Sequence, residues 1–154
     1  MTRGLLARTI LTMTIKKPRY ELLDHTADMG MAVNSSGLQE LFKQAAAAML
    51  DIILENPPKG KGRKIRVSLE GADLTDLMVR WLGEILYMLQ GDGLVVTDIE
   101  FEHLTSVSLR AVAQTVPFKP GIHIIRHEIK AVTYHQSLVS QDGTGWKAKI
   151  IFDM

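Results

Sequence analysis

Leu74, Leu77, Met78, Trp81, Leu82, Ile85, Met88 and Leu89 recur at helical spacing and make one continuous apolar face. A face that long belongs to a hydrophobic core rather than to a cofactor box, and it has to be covered by something equally apolar. Asp73 or Thr75 is placed to cap this helix, and Asp76 suits its first turn. Gly91-Asp92-Gly93 ends it. That triplet is not a calcium loop, because the Asp-x-Asp-x-Asp-Gly pattern is missing. Immediately afterwards come two long alternating runs, 94–103 and 106–116, split by a tight connection. They read as a β-hairpin. The covering surface is therefore a sheet.

The remaining segments fit that arrangement. Residues 20–23 and 29–34 read as short strands, with Met31 and Val33 on one face of the second. Ser36-Gly37-Leu38-Gln39 has the form of a capping box. Leu38, Leu41, Phe42, Ala45, Met49 and Ile52 then follow at helical spacing, which predicts a first helix over 37–54, stopped by Pro57-Pro58. Residues 57–66 form a Gly-punctuated basic run, read as a solvated loop: it lacks the Walker spacing and offers no aromatic on which a base could stack. Ile65, Val67 and Leu69 alternate with polar residues as in a half-buried strand. Pro117, Pro120 and Gly121 break the chain before a strand over 128–140, a turn at Gln141-Asp142-Gly143-Thr144-Gly145 and a last strand over 146–153. The order of strands, helix, strand, helix and strands predicts an α+β fold. Its expected form is two layers: a mostly antiparallel sheet of about six strands with two helices on one face.

Composition narrows the function. The 154 residues suffice for one domain with a core of its own. A formal charge of +1 gives no global field to attract nucleic acid or an anionic membrane. The absence of cysteine excludes disulfides, thiolate catalysis and cysteine-based metal sites, and it fits a reducing, cytoplasmic setting. Residues 1–17 differ from the rest. They carry Arg3 and Arg8 without an acid, and their apolar runs are too short for a membrane span or a secretory signal. They read as a flexible amino-terminal arm ahead of a single domain over 18–154. An organelle-targeting role ranks lower because serine is absent, and Met13 is an alternative start.

The densest chemistry lies in Asp24-His25-Thr26-Ala27-Asp28, between the first two strands. Aspartates favour bends because their carboxylates bond nearby backbone N–H groups, so a capped turn is one reading. The last strand offers another. Trp146, Ala148, Ile150 and Phe152 share one face, which turns Asp153 the other way, and Met154 adds a terminal carboxylate. If the bend meets this end, Asp28, Asp153 and Met154 present oxygens suited to a hard cation such as Ca²⁺, Mg²⁺ or Mn²⁺. His25 and His135 could add a nitrogen ligand or move a proton, or be structural. His103, His123 and His127 show no ligand pairing, and no nucleophile elbow, His-Glu-x-x-His or dinucleotide fingerprint is present.

Asp24-His25-Thr26-Ala27-Asp28 after a Tyr-Glu strand resembles the opening of the archease family. Lys130-Ala131-Val132-Thr133-Tyr134-His135, the Gly93-Leu94 step and the close Gly145-Trp146-Lys147-Ala148-Lys149-Ile150-Ile151-Phe152-Asp153-Met154 extend the likeness collinearly over about 18–154. Gln136 departs from the small or acidic residue usual after the Tyr-His pair, and Met154 from the usual branched aliphatic end. The resemblance implies a non-catalytic partner of the GTP-dependent RNA ligase that joins 3′-phosphate or 2′,3′-cyclic-phosphate ends to 5′-hydroxyl ends in tRNA splicing and RNA repair. It implies promotion of ligase guanylylation and turnover. It also implies a metal site, described with calcium, carried over onto Asp28, Asp153 and Met154, with Asp24 a nearby acid. A tRNA methyltransferase is the alternative partner, with the protein acting as a chaperone-like modulator. A metal-dependent phosphohydrolase built on Asp24, His25, Asp28 and His135 is a further alternative.

Overall fold

A computed structural model describes residues 18–24 and 28–154. The expected arm over 1–17, and His25, Thr26 and Ala27 of the first bend, lie outside the described residues. Strands β1 (Glu21–Asp24) and β2 (Asp28–Ser35) lead into helix α1 (Leu38–Ile53) and the short strand β3 (Leu54–Glu55). Then come β4 (Arg63–Glu70), helix α2 (Leu74–Gln90) and the hairpin β5 (Leu94–Leu104) and β6 (Ser108–Pro117). The chain closes with β7 (Ile124–Ile125), β8 (Ala131–Asp142) and β9 (Gly145–Asp153).

The class is α+β and every strand pairing is antiparallel, as the periodicities predict. The strands do not form one sheet of about six, however. They divide into a four-stranded sheet ordered β1-β2-β9-β8, a three-stranded sheet ordered β4-β6-β5 and a β3-β7 ribbon. Helix burial gives the reason. In α1 the buried positions are Leu41, Phe42, Ala45, Ala46, Ala48, Met49, Leu50, Ile52 and Ile53, which run well beyond a single stripe. A helix apolar on two sides needs cover on two sides. Both helices accordingly pack against strands of both larger sheets, α1 on β2, β9 and β5, and α2 on β8, β5 and β4.

Trp81 of α2 anchors this layer. Its indole N–H donates to the Phe42 carbonyl of α1 at 3.0 Å, and the Phe101 ring of β5 lies 5.4 Å from Trp81 and 6.4 Å from Phe42. Buried indole nitrogen thus keeps a partner while the rings fill the space between helices and sheet.

Local signals held at α2 and failed at α1. Asp73 caps α2 by accepting the Asp76 N–H at 2.8 Å. Thr75, the other candidate cap, instead accepts the Val139 N–H at 3.0 Å and ties the first turn of α2 to β8. At α1 the cap position is Gly37, with no side-chain cap bond, so the Ser36–Gln39 box does not form. The helix starts one residue too late for the Ser36 hydroxyl, and Ser35 Oγ accepts the Gly37 N–H at 3.4 Å instead. The basic run also divides: Arg63, Lys64 and Arg66 belong to β4, exposed but paired through their backbones with Thr115, Gln114 and Val112. The β3-β7 ribbon had no periodicity to reveal it, being two residues on each side.

The far end of α1 is closed by the chain that returns from β6. Arg126 donates from its guanidinium to the Asp51 and Leu54 carbonyls at 2.9 and 3.1 Å, and its backbone N–H donates to Ile53 O at 2.7 Å. A cation on the last carbonyls of a helix also opposes the negative end of its dipole.

Candidate metal and docking site

The site is built on β2 and β9, which pair without interruption from Asp28↔Asp153 to Ser35↔Trp146. Met31 and Val33 of β2 and Ala148, Ile150 and Phe152 of β9 are each 0% exposed, filling the core face. Strand alternation then places Asp28 and Asp153 on the opposite face. Because residues directly opposite in an antiparallel pair share a face, the two carboxylates are cross-strand neighbours. Asp28, where the first bend enters β2, and the last strand do meet.

The position of Asp153 is fixed from both sides. Its other neighbour is Ala131 of β8, and its carbonyl accepts the Lys130 N–H at 2.7 Å. Asp28 is half-buried, Asp153 exposed and Met154 half-buried. Among the described residues neither aspartate takes part in an ion pair. Two like charges opposite one another are unfavourable, and a divalent cation is the simplest neutraliser with the right preference for oxygen. The donor chemistry fits such an ion, but the set is small. No group of three or more His, Asp or Glu side chains among the described residues is gathered closely enough to hold one.

The other candidates are spread around this pair. The backbone of Asp24 pairs with Met29, one step from Asp28, and His25 lies outside the described residues. His135 is exposed and is not gathered with Asp28 and Asp153 into a metal-sized group. It stands in a wide bulge of β8: the pairing jumps from Thr133↔Ile151 to Leu138↔Lys149, and Gln136 takes a φ of 61°.

That bulge was not foreseen. Ser137 stitches it, donating to the Thr133 carbonyl at 2.7 Å and accepting the Ile151 N–H at 3.0 Å. Tyr134 is exposed and lies near Asp76 at the start of α2. Asp76 lies below its ordinary carboxyl range, first because it accepts the Ala72 N–H, then through Tyr134 and Arg80, while the carboxylate pushes the Tyr134 phenol up. The signal available in the sequence was the polar run Thr133-Tyr134-His135-Gln136-Ser137, which breaks a two-residue alternation.

The model of the Archease protein family (MTH1598/TM1083) matches residues 20–154. The archease of Methanosarcina acetivorans is 34% identical over 140 residues, covering 88% of this chain and 96% of that protein. The archease of Pyrococcus abyssi is 33% identical over 141 residues, covering 88% and 99%. The solution structure of Methanobacterium thermoautotrophicum protein 1598 superposes with a TM-score of 0.74 at 27% identity, covering 90% of this chain and all of that one. A Thermotoga maritima crystal structure, described as an archease and possible chaperone, shares the fold with a TM-score of 0.58 at 19% identity, covering 91% and 98%.

Proposed function

The chain belongs to the archease family, and from that premise we propose that it is a non-catalytic activator of a GTP-dependent RNA ligase. It promotes guanylylation of the ligase's own active-site histidine and repeated turnover in tRNA splicing and RNA repair. The acidic corner carries the activity. Asp28, Asp153 and a main-chain oxygen of Met154 hold a divalent cation, calcium by family likeness, and the backbone of Asp24 lies beside the site through its pairing with Met29. The ion neutralises the corner and gives it a fixed shape for docking at the mouth of the ligase's nucleotide site.

The observation that supports this reading is the Asp28↔Asp153 pairing, which sets two carboxylates side by side on a rigid sheet rather than on loops. A net charge of +1 suits docking on a protein better than gripping RNA, and no helix of the described residues is long and apolar enough to cross a membrane. The test is single-turnover guanylylation of the ligase with the Asp28→Ala and Asp153→Ala proteins, each checked for native circular dichroism. We expect the acceleration to be lost. Folded variants that still accelerate the ligase fully would remove the acidic corner from the mechanism.

A second reading is a chaperone-like modulator of a tRNA methyltransferase. It is favoured by the description of the Thermotoga relative and by the exposed Ile122, Ile124 and Ile125 beside the β3-β7 ribbon. Affinity capture separates the two by whether the ligase or the methyltransferase is retained.

A further inference from the structure

The two helices end differently. The end of α1 receives the Arg126 guanidinium, which donates to the Asp51 and Leu54 carbonyls. Helix α2 has no basic residue in its last turn, and among the described residues no backbone N–H donates to the carbonyls of Leu89, Gln90 or Gly91. Carbonyls at a helix end carry partial negative charge, which a cation there offsets. This end borders a cavity of about 570 Å³. Buried Ile53, Leu89 and Ile129 line it, and its charged lining residues are Asp92 and Glu128. Both acids are exposed and, among the described residues, neither takes part in an ion pair. No Lys, Arg or His lines the cavity. Gln90 Nε2 donates to the Ile129 carbonyl at 2.6 Å, which ties the helix end to the returning chain and keeps the cavity pre-formed.

An apolar cavity whose charges are all negative selects an aliphatic stem that ends in a positive group. The surface around it indicates how that group arrives. Ile125, which also lines the cavity, is 50% exposed, and Ile122 and Ile124 beside it are 70% and 52% exposed. A small free amine would leave these three side chains in water, whereas a protein segment covers them. Arginine suits the helix end better than lysine, because its planar fork bonds several carbonyls at once, as Arg126 does at α1. We propose that this cavity is a docking pocket for an arginine of a partner protein. The guanidinium donates to the last carbonyls of α2 between Asp92 and Glu128. Its stem lies on Ile53, Leu89 and Ile129, and an apolar residue next to it in the partner packs on the isoleucines. None of Asp28, Asp153 and Met154 lines this pocket, so the proposal stands or falls apart from the acidic corner and whichever enzyme is the partner.

The test is a titration of the ¹⁵N-labelled full-length protein, followed by NMR, with the capped peptide acetyl-Leu-Arg-Leu-amide. Its counterpart carries citrulline, a neutral isostere, in place of arginine. The arginine peptide should shift the amides of Gly91, Asp92, Gly93 and Ile125 in a saturable way. The citrulline peptide should bind about tenfold more weakly, since it keeps the shape and loses the charge. The double variant Asp92→Asn, Glu128→Gln should weaken the arginine peptide by a similar factor, about tenfold, and its own amide spectrum reports that it is folded. No saturable shift at these amides, shifts scattered over the surface, or equal binding of the two peptides would overturn the proposal. Spermidine binding at the same amides more tightly than the arginine peptide would also overturn it and hand the pocket to a free polyamine.

Discussion

Strand β9 has two neighbours and pairs with them differently. With β2 the ladder runs unbroken from Trp146 to Asp153; with β8 it breaks between Thr133 and Leu138, where several residues of one strand face almost none of the other. The unbroken side is held by its core face, since a slip of one residue would turn Met31, Val33, Ile150 and Phe152 outward. The broken side is held by particular hydrogen bonds, those of Ser137 with the Thr133 carbonyl and the Ile151 N–H and that of the Val139 N–H with Thr75. Burial therefore fixes where the acidic pair must lie, while polar contacts set how the neighbouring surface is shaped. A bulge that re-aims side chains next to a regular ladder is a common way to make a surface specific.

The sharpest way to break this comparison is at the core. Phe152 is fully buried on the unbroken side, and Phe152→Ala should cost about 3–5 kcal/mol in denaturant unfolding. A much smaller loss would mean that the β2-β9 register does not depend on burial. On the broken side, Ser137→Ala removes the acceptor for the buried Ile151 N–H and should cost about 1–3 kcal/mol. A loss below about 0.5 kcal/mol would show that the bulge is held by something other than its stitching. The smallest effect is electrostatic. In chelator, Asp28→Asn relieves the like-charge pair and should raise stability by about 0.5 kcal/mol. Added calcium should raise the Tm of the native protein and leave that of Asp28→Asn unchanged. An equal calcium response in both would place any bound ion elsewhere.

Where one face of an element is buried, its residues announced it. The apolar stripe of α2, the alternation of β5 and β6 and the face shared by Ala148, Ile150 and Phe152 were all legible, and the last of these put Asp153 on the correct side. The meeting of Asp28 with Asp153 was a spatial inference that no local pattern could supply, because it joins strands from opposite ends of the chain. The partition into two sheets was hidden for a different reason. Periodicity marks the apolar positions of α1 but does not say that they must be served from two directions. The β8 bulge was hidden because it is held by the hydrogen bonds of Ser137 to the Thr133 carbonyl and from the Ile151 N–H, and the second of these partners lies on another strand.

The closure of α1 by Arg126 has a consequence for how this molecule comes together. The cation and the carbonyl of Asp51 are 75 residues apart in the chain. Contacts of such long range form only after the intervening segment has been ordered, since loop entropy must first be overcome. The last turn of α1 thus lacks its Arg126 contacts until the crossover from β6 to β8 has swung back across the helix end. The end of one helix is completed by a residue that lies beyond the whole three-stranded sheet in the chain.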